Sequence, residues 1–236
     1  MSQSYTKIES EFKFKFEIFM PTTPNPPKQS RAIRTRTKLI EALERLLRTR
    51  EFEMISVQDI AQEAGVAVGS VYSHFRDKTA FLEALLTFWR EQVEANLERA
   101  EAQDLAGALA AMGSLKQALH EAVKSVHAQT KQSGHILRAV HTYTRLNPDA
   151  GDEDWQHLVV RSFAPLGGML AAYSDEITIR DPDLGVRMLG FIFNTIFIRS
   201  ALMPQDTLLE AANLDDETLI REVTDMVHGY LTMVRD

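Results

Sequence analysis

Apolar residues recur at helical spacing along most of the chain, in segments separated by breaks rich in glycine, proline and aspartate. Pro165 with Gly167 and Gly168 should bend one of the predicted helices. The periodicity predicts helices near residues 31–49, 67–74, 78–98, 114–131, 134–145, 153–178, 183–202 and 216–234. We find no internal repeat and no convincing strand after residue 20, so the predicted fold class is all-α.

A stripe of apolar residues after Ser56 predicts a short helix with one buried face. Val57, Ile60, Ala61 and Ala64 follow the i, i+3, i+4, i+7 spacing of such a face. Ser56 is placed to cap the N-terminus of this helix, because serine hydroxyls accept hydrogen bonds from the first free backbone amides. A second helix follows after a short turn.

The spacing of three residues predicts how these two helices meet. Ala61 is small where the second helix should cross the first, and Val71 should point from the second helix into a shared core. Gly65 lies where the turn needs a positive φ, which glycine adopts without strain. Asp59 has the capping-box spacing from Ser56. This is the geometry of a DNA-binding helix-turn-helix.

The run Ala-Gly-Val-Ala-Val-Gly-Ser-Val-Tyr-Ser-His-Phe-Arg-Asp-Lys over residues 64–78 resembles the DNA-binding domain of the tetracycline-repressor (TetR) family. The match runs from about Arg31 to Leu86, and the Tyr-x-His-Phe-x-x-Lys tail is the part most typical of this family. Beyond it, the chain is similar to the family in length, helical content and layout. The resemblance implies a three-helix DNA-binding head over residues 30–77 and a larger helical ligand-binding and dimerisation body over residues 78–236.

The second helix of the motif, over residues 67–74, is the candidate recognition helix. Tyr72 and His74 resemble phosphate-contacting residues of the family, while Ser56 could act only as a cap and Tyr72 could pack on the first helix. The predicted DNA-contacting residues are Ser56, Gln58, Val68, Gly69, Ser70, Tyr72, Ser73, His74 and Lys78. Because this helix carries no Arg, Asn or Gln, we expect modest base readout and a large contribution from DNA shape.

The formal net charge of −7 is unevenly distributed along the chain. Residues 28–90 carry 11 Lys and Arg against 8 Asp and Glu, whereas residues 91–236 carry 12 against 22. The basic residues cluster at Lys28, Arg31, Arg34, Arg36 and Lys38, where they could meet phosphates or simply form a solvated helix start. An acidic body would orient such a molecule with its basic head towards DNA.

The resemblance implies that the last two helices pair with those of a second chain, and the sequence supplies more apolar surface there than one helix pair can bury. The predicted interface residues are Met188, Phe191, Ile192, Ile196, Leu219, Ile220, Val223, Met226, Val227 and Leu231. The alternative is that they form internal core. A twofold dimer would place two recognition helices one or more DNA turns apart.

The resemblance also implies a ligand pocket within helices near residues 78–180. Aromatic residues at helical spacing more often form core, so each assignment competes with that reading. The candidate lining residues are Trp89, His127, Leu137, His141, Tyr143, Phe163, Met169 and Tyr173. Their mixture suits a largely apolar ligand with one or two polar anchors. The histidine spacings are not those of a metal site, and we expect neither a metal nor a cofactor.

The helix predicted over residues 78–98 should join the head to the body. Its N-terminal half should pack on the head, and it should enter the body through Phe81, Leu85, Phe88, Trp89 and Val93. Such a shared helix could transmit movement between the two parts.

Residues 1–29 should form a flexible arm. Residues 11–19 alternate as an amphipathic strand would, but an alternative is that translation starts at Met20. The chain has no cysteine, no recognisable signal peptide, and an apolar stretch over residues 188–203 that Asn194 and Arg199 interrupt. We therefore expect a cytoplasmic protein that does not enter a membrane.

Together these features predict a ligand-responsive transcriptional regulator of the repressor type. It would bind a palindromic operator in double-stranded DNA as a homodimer, and a small apolar effector would release it. The alternative is a DNA-binding regulator without a small ligand, controlled by a protein partner. The sequence contains no nucleophile elbow, phosphate loop or metal motif, so we do not expect an enzyme.

Overall fold

The computed structural model describes residues 28–147, 150 and 153–233. Across these ranges every regular element is a helix, which confirms the predicted all-α fold. The predicted arm lies outside the described residues, apart from the first residues of helix α1. Residues 28–35 and the described residues from 36 onwards belong to two different compact units. Within the first, the Thr35 hydroxyl donates to the Arg31 carbonyl at 3.0 Å.

The helices fall into an N-terminal, a central and a C-terminal group. The N-terminal group is α1 (Lys28–Leu47), α2 (Val57–Ala64), α3 (Val68–Tyr72) and α4 (Ala80–Ala102), with a 3₁₀ turn at Phe52–Met54. The central group is α5 (Leu105–Ala110), α6 (Leu115–Leu146), α7 (Glu153–Ser162) and α8 (Ala164–Ala172), with a 3₁₀ turn at Ser174–Glu176. The C-terminal group is α9 (Pro182–Phe193), a π-helical segment (Asn194–Ile198), α10 (Arg199–Leu202), α11 (Thr207–Ala212) and α12 (Asp216–Thr232).

The first apolar core joins helices α1–α4 to the C-terminal half of α6. Phe81 and Leu85 of α4 are fully buried in it, together with Ile136, Ala139 and Val140 of α6. Phe81 and Leu85 therefore lie in a core that the helix-turn-helix shares with α6. Phe81 also stacks on Phe75, three residues after the end of α3, with ring centroids 3.9 Å apart.

The second apolar core lies among α5, the N-terminal half of α6, α8, α9 and α12. Tyr173 is buried there, and its hydroxyl lies 3.0 Å from the Leu109 carbonyl and 2.6 Å from the Met112 carbonyl. Burial of a hydroxyl costs little free energy when it is hydrogen-bonded in this way. Tyr173 therefore fastens the end of α8 to the end of α5.

Helix α6 is continuous over 32 residues, although the sequence predicts two shorter helices. Ser114 caps its N-terminus by accepting from the Gln117 amide at 3.3 Å, and the Glu176 carboxylate accepts from the Leu115 amide at 3.2 Å. Gly134, near the expected break, instead allows close packing: a Cβ there would lie 3.6 Å from the Ala201 Cβ.

The helix predicted over residues 153–178 is divided into α7 and α8. Phe163 separates them, and Pro165 lies in the first turn of α8, where its missing amide hydrogen costs no helical hydrogen bond. The chain is therefore broken, and not merely bent, at this point.

The segment Pro182–Leu202 forms 21 continuous helical residues with a mean hydropathy of 1.3 in its most apolar window. Among the described residues it is the one helix long and apolar enough to cross a membrane by length and composition, and 28% of that window is buried. Its buried residues Leu189, Phe193 and Phe197 belong to the second core. The exposed remainder includes Phe191, which is 65% exposed.

Candidate nucleic-acid interface

Helix α2 begins with a complete capping box. The Ser56 hydroxyl oxygen accepts from the Asp59 amide at 3.1 Å, and the Asp59 carboxylate accepts from the Ser56 amide at 2.8 Å and from its hydroxyl at 2.7 Å. The hydrogen bond from the Ser56 side chain is the main reason that the pKa of Asp59 lies below its ordinary value. Since the hydroxyl of Ser56 both donates and accepts within the box, Ser56 acts first as a cap.

The turn after α2 has the geometry that the sequence predicts. Gly65 adopts φ +66° in the left-handed region, and the Val66 amide donates to the Ala61 carbonyl at 2.9 Å. Ala61 is 1% exposed and Val71 is fully buried. The two helices therefore cross at a small residue and share one apolar contact surface, as in a helix-turn-helix.

Helix α3 is short and is held in place mainly by Phe75, which lies three residues after its end. It spans five residues, and Ala67 at its N-cap makes no side-chain capping bond. Phe75 is buried and stacks on Phe81 with ring centroids 3.9 Å apart, while the Arg36 guanidinium lies 4.8 Å from the centre of the Phe75 ring. The orientation of α3 is thus fixed by α1 and α4.

The outer face of α3 is open. Val68 is 37% exposed and Tyr72 is 57% exposed, and Gly69 has no atom within 4 Å of the position that a Cβ would occupy. Ser73 is exposed, with its hydroxyl donating to the Ser70 carbonyl at 2.7 Å. Packing within the chain does not require glycine at position 69, which leaves room for a close approach from outside.

The structure places all nine predicted contact residues at or near the surface of α2, α3 and the entry to α4. The exposed ones are Ser56, Gln58, Val68, Gly69, Tyr72 and Ser73, and the half-buried ones are Ser70, His74 and Lys78. The structure shows their positions and contacts within the chain. Their contact with DNA remains a prediction.

Lys78 has a structural role that the sequence did not indicate. Its ammonium group donates to the Glu53 carbonyl at 3.0 Å and lies 4.6 Å from the centre of the Phe52 ring. It therefore fastens the segment before α4 to the 3₁₀ turn between α1 and α2. The signal was not local, because the partners lie 25 residues apart along the chain.

The arginines near the end of α1 are engaged in ion pairs on the protein surface. Arg45 Nε lies 2.6 Å from Glu63 Oε1, and Arg50 Nη1 lies 3.5 Å from Asp59 Oδ1. Lys38 is exposed earlier on the same helix. Arg31, Arg34 and Arg36, nearer the start of α1, are also exposed.

Residues 39–85 match the family model described as "Bacterial regulatory proteins, tetR family". The matched residues include both helices of the helix-turn-helix, so this part of the chain is similar to the DNA-binding region of that family. It is 34% identical over 104 residues to the HTH-type transcriptional regulator TtgR of Pseudomonas putida, an overlap that covers 44% of this chain and 49% of TtgR. The match thus spans about half the length of this curated relative.

Solved structures share the fold over most of the chain. A TetR-family transcriptional regulator from Mesorhizobium loti superposes with a TM-score of 0.60 at 18% identity, covering 85% of this chain and 96% of the other. The transcriptional regulator FadR from Bacillus subtilis, in complex with stearoyl-CoA, gives a TM-score of 0.51 at 16% identity, covering 85% of this chain and 99% of the other. At these identities the likeness establishes the fold alone.

The predicted pocket residues are divided between the two cores. Trp89 and Tyr143 pack against the first core, whereas Phe163, Met169 and Tyr173 belong to the second. His141 is exposed and Leu137 is half-buried. His127 lies 5.4 Å from Phe197 in an edge-on ring contact, and its Nε2 is 3.5 Å from Asp216.

The eight residues therefore do not belong to a single core, and their role in lining a ligand pocket stays a prediction. Two clefts formed by described residues have other linings. One, of about 450 Å³, is lined by Glu51, Arg138, Leu202, Met203, Pro204, Gln205 and Asp206. The other, of about 260 Å³, lies between α8 and the start of α9. Among the described residues, no group of three or more His, Asp or Glu could hold a metal.

The predicted interface residues divide into core and surface. Val223, Val227 and Leu231 are buried in the second core, so their assignment to an interface is corrected. Phe191 and Met226 are 65% and 48% exposed. The half-buried members of the set are Met188, Ile192, Ile196, Leu219 and Ile220.

Proposed function

We propose that this protein is a transcriptional regulator that reads a palindromic DNA operator through α3. The observation that carries the proposal is the open face of a rigidly held α3. Val71 and Phe75 are buried beneath it, while Val68 and Tyr72 stand exposed. Side chains so arranged can enter a major groove without unfolding the head.

The proposed assembly is a homodimer formed through α9 and α12. Phe191 is 65% exposed and Met226 is 48% exposed, and half-buried apolar residues lie beside them on the same two helices. A second copy would remove this apolar surface from water, which favours association. Twofold symmetry would then present two copies of α3 to two half-sites.

A small, largely apolar effector would release the operator by favouring a conformation with a different spacing between the heads. The FadR relative described above holds stearoyl-CoA, which supports a ligand of this class. The division of the predicted pocket residues between two cores favours the alternative, a regulator controlled by a protein partner without a small ligand. In either form the protein would act in the cytoplasm, without enzymatic activity.

The deciding experiment is selection of random double-stranded DNA on the purified protein, followed by the mass of the complex on the enriched sequence. An enriched inverted repeat bound by two or four chains would support the proposal. Lack of enrichment at low salt would overturn it. Stearoyl-CoA, titrated into the complex, would then separate the two modes of control, since displacement of DNA supports a small effector.

A further inference from the structure

Two residues on one face of α6 contact carboxylates near the N-terminal end of the described chain. His135 Nε2 lies 2.9 Å from Oε1 of Glu44 in α1, and Arg138 Nε donates to Oε1 of Glu51 at 3.2 Å. His135 and Arg138 are three residues apart, so they project from the same side of the helix. Glu51 directly precedes the 3₁₀ turn that leads into α2.

Arg138 also reaches the C-terminal helices. Its Nη1 donates to the Ala201 carbonyl in α10 at 3.1 Å. One turn earlier on α6, Gly134 is buried, and a Cβ there would lie 3.6 Å from both the Ala201 Cβ and Arg138 Nη1. The backbone of α6 therefore approaches α10 closely at the point where Arg138 binds it.

The guanidinium group suits this double contact. It is planar and offers donors in fixed directions, so two acceptors bound at once constrain each other's position. The Arg138 side chain is 26% exposed and the Glu51 side chain is 60% exposed, so the hydrogen bond to the Ala201 carbonyl is the better shielded of the two contacts. The π-helical segment Asn194–Ile198 ends shortly before Ala201, and π-helical turns are frequent at functional sites.

We propose that Arg138 is a positioning residue that fixes the angle between the helix-turn-helix and the C-terminal helices. This rests on the proposed function, because in the dimer α9 and α12 would define the twofold axis and the angle would set the distance between the two α3 helices. A half-site spacing is matched to the pitch of DNA, so a change in this angle changes which operators fit.

The first test measures the angle without DNA. The chain has no native cysteine, so Gln62→Cys in α2 and Ser125→Cys in α6 place spin labels at two exposed positions. Pulsed electron–electron double resonance on labelled chains, diluted with unlabelled protein, reports the distance between the two spin labels within one chain. R138M should broaden and shift this distance distribution, with helical content unchanged by circular dichroism.

The matched control is R161M. Arg161 of α7 donates two hydrogen bonds to the Glu101 carboxylate of α4, at 2.7 and 2.8 Å. These bonds join α7 to α4 and do not involve α2 or α3. R161M should leave the distribution as in the unmodified chain. Equal distributions for R138M and the unmodified chain would overturn the proposal. So would equal broadening in R161M.

The second test uses operators whose central spacer is lengthened or shortened by single base pairs. R138M should lower the preference for the best spacer by about 3- to 10-fold and leave affinity for a single half-site unchanged. E51Q should reproduce this loss in part, and the double variant should add little to R138M, since both single variants weaken the contact between Arg138 and Glu51. Loss of half-site affinity in R138M would contradict a positioning role.

The two tests separate the failure of this inference from that of the proposed function. If selection yields no inverted repeat, the proposed function fails, while the spin-label distances still decide whether Arg138 fixes the angle. If an inverted repeat is found and R138M keeps its spacer preference, the positioning role fails and the proposed function stands.

Discussion

The imidazole of His135 lies 2.9 Å from the Glu44 carboxylate, and this contact joins α6 to α1 at a site where His135 is 9% exposed. Arg48 Nη2 contacts the same carboxylate oxygen at 2.6 Å. Glu44 thus receives one partner from its own helix and one from 91 residues away along the chain. A buried polar pair of this kind is favourable only while both members are present.

Glu44→Ala should lower the free energy of unfolding by about 1–3 kcal/mol, because it leaves the His135 imidazole buried without its partner. Urea unfolding followed by circular dichroism would measure the loss. Glu63→Ala is the matched control, since Glu63 pairs with Arg45 at the surface and should contribute about 0–1 kcal/mol. Equal losses in the two variants would show that the buried contact stabilises no more than a surface pair.

Acid should weaken the same contact. The hydrogen bond from His135 and the nearby Arg48 hold the pKa of Glu44 below its ordinary value of 4.5, against the opposing effect of burial. A lowered pKa in the folded state contributes stability that is present above the unfolded pKa and is lost as pH falls through the folded value. Between about pH 6 and about pH 3, the unfolding free energy should therefore fall less steeply in Glu44→Gln than in the unmodified protein. Parallel curves would contradict this assignment.

Local signals made the helix-turn-helix predictable. Ser56 and Asp59 indicate a capped helix, Gly65 a left-handed turn, and Ala61 with Val71 a close helix crossing, and each signal lies within a few residues of its effect. The same logic failed at Gly134, which lies near a predicted break in what is one continuous helix. Gly134 lies close to Ala201 in α10, and no local sequence pattern reveals a neighbour so distant along the chain.

The division of the candidate pocket residues between two cores was not predictable for a related reason. Periodicity shows that a helix has an apolar face but not which core that face meets. Trp89 lies against the first core and Met169 within the second, although both fit the same helical pattern. Val227 shows the converse, because a residue expected on an interface is fully buried within its own chain.

Tyr72→Ala should weaken operator binding by about 10-fold to 100-fold, if its hydroxyl donates to a phosphate, and leave unfolding within about 0.5 kcal/mol. The side chain is 57% exposed, so its removal disturbs little packing. Fluorescence anisotropy on the selected operator would measure the affinity. Tyr72→Phe isolates the hydroxyl and should lose nearly as much. An unchanged affinity in both variants would remove Tyr72 from the interface.

Lys78→Met should have two effects, because the ammonium group binds the Glu53 carbonyl and still has further donors for a phosphate. Stability should fall by about 0.5–1.5 kcal/mol. DNA affinity should fall equally across sequences, and the slope of log affinity against log salt should decrease by about one unit. Lys124→Met, at an exposed body position, is the control. A salt slope that does not change would leave Lys78 with its structural role only.

Phe191→Asp should separate the proposed dimer. Phe191 is 65% exposed on α9, and an unpaired carboxylate at its position would have to be buried on association. The dissociation constant of the dimer should rise by about 10- to 100-fold, as measured by analytical ultracentrifugation, with helical content unchanged. Leu208→Asp is the matched control, because Leu208 is 72% exposed on α11, outside the proposed interface. A dimer that persists in Phe191→Asp, or that dissociates equally in Leu208→Asp, would place the interface elsewhere, and the spacing of the two α3 helices would then have to be set by other elements.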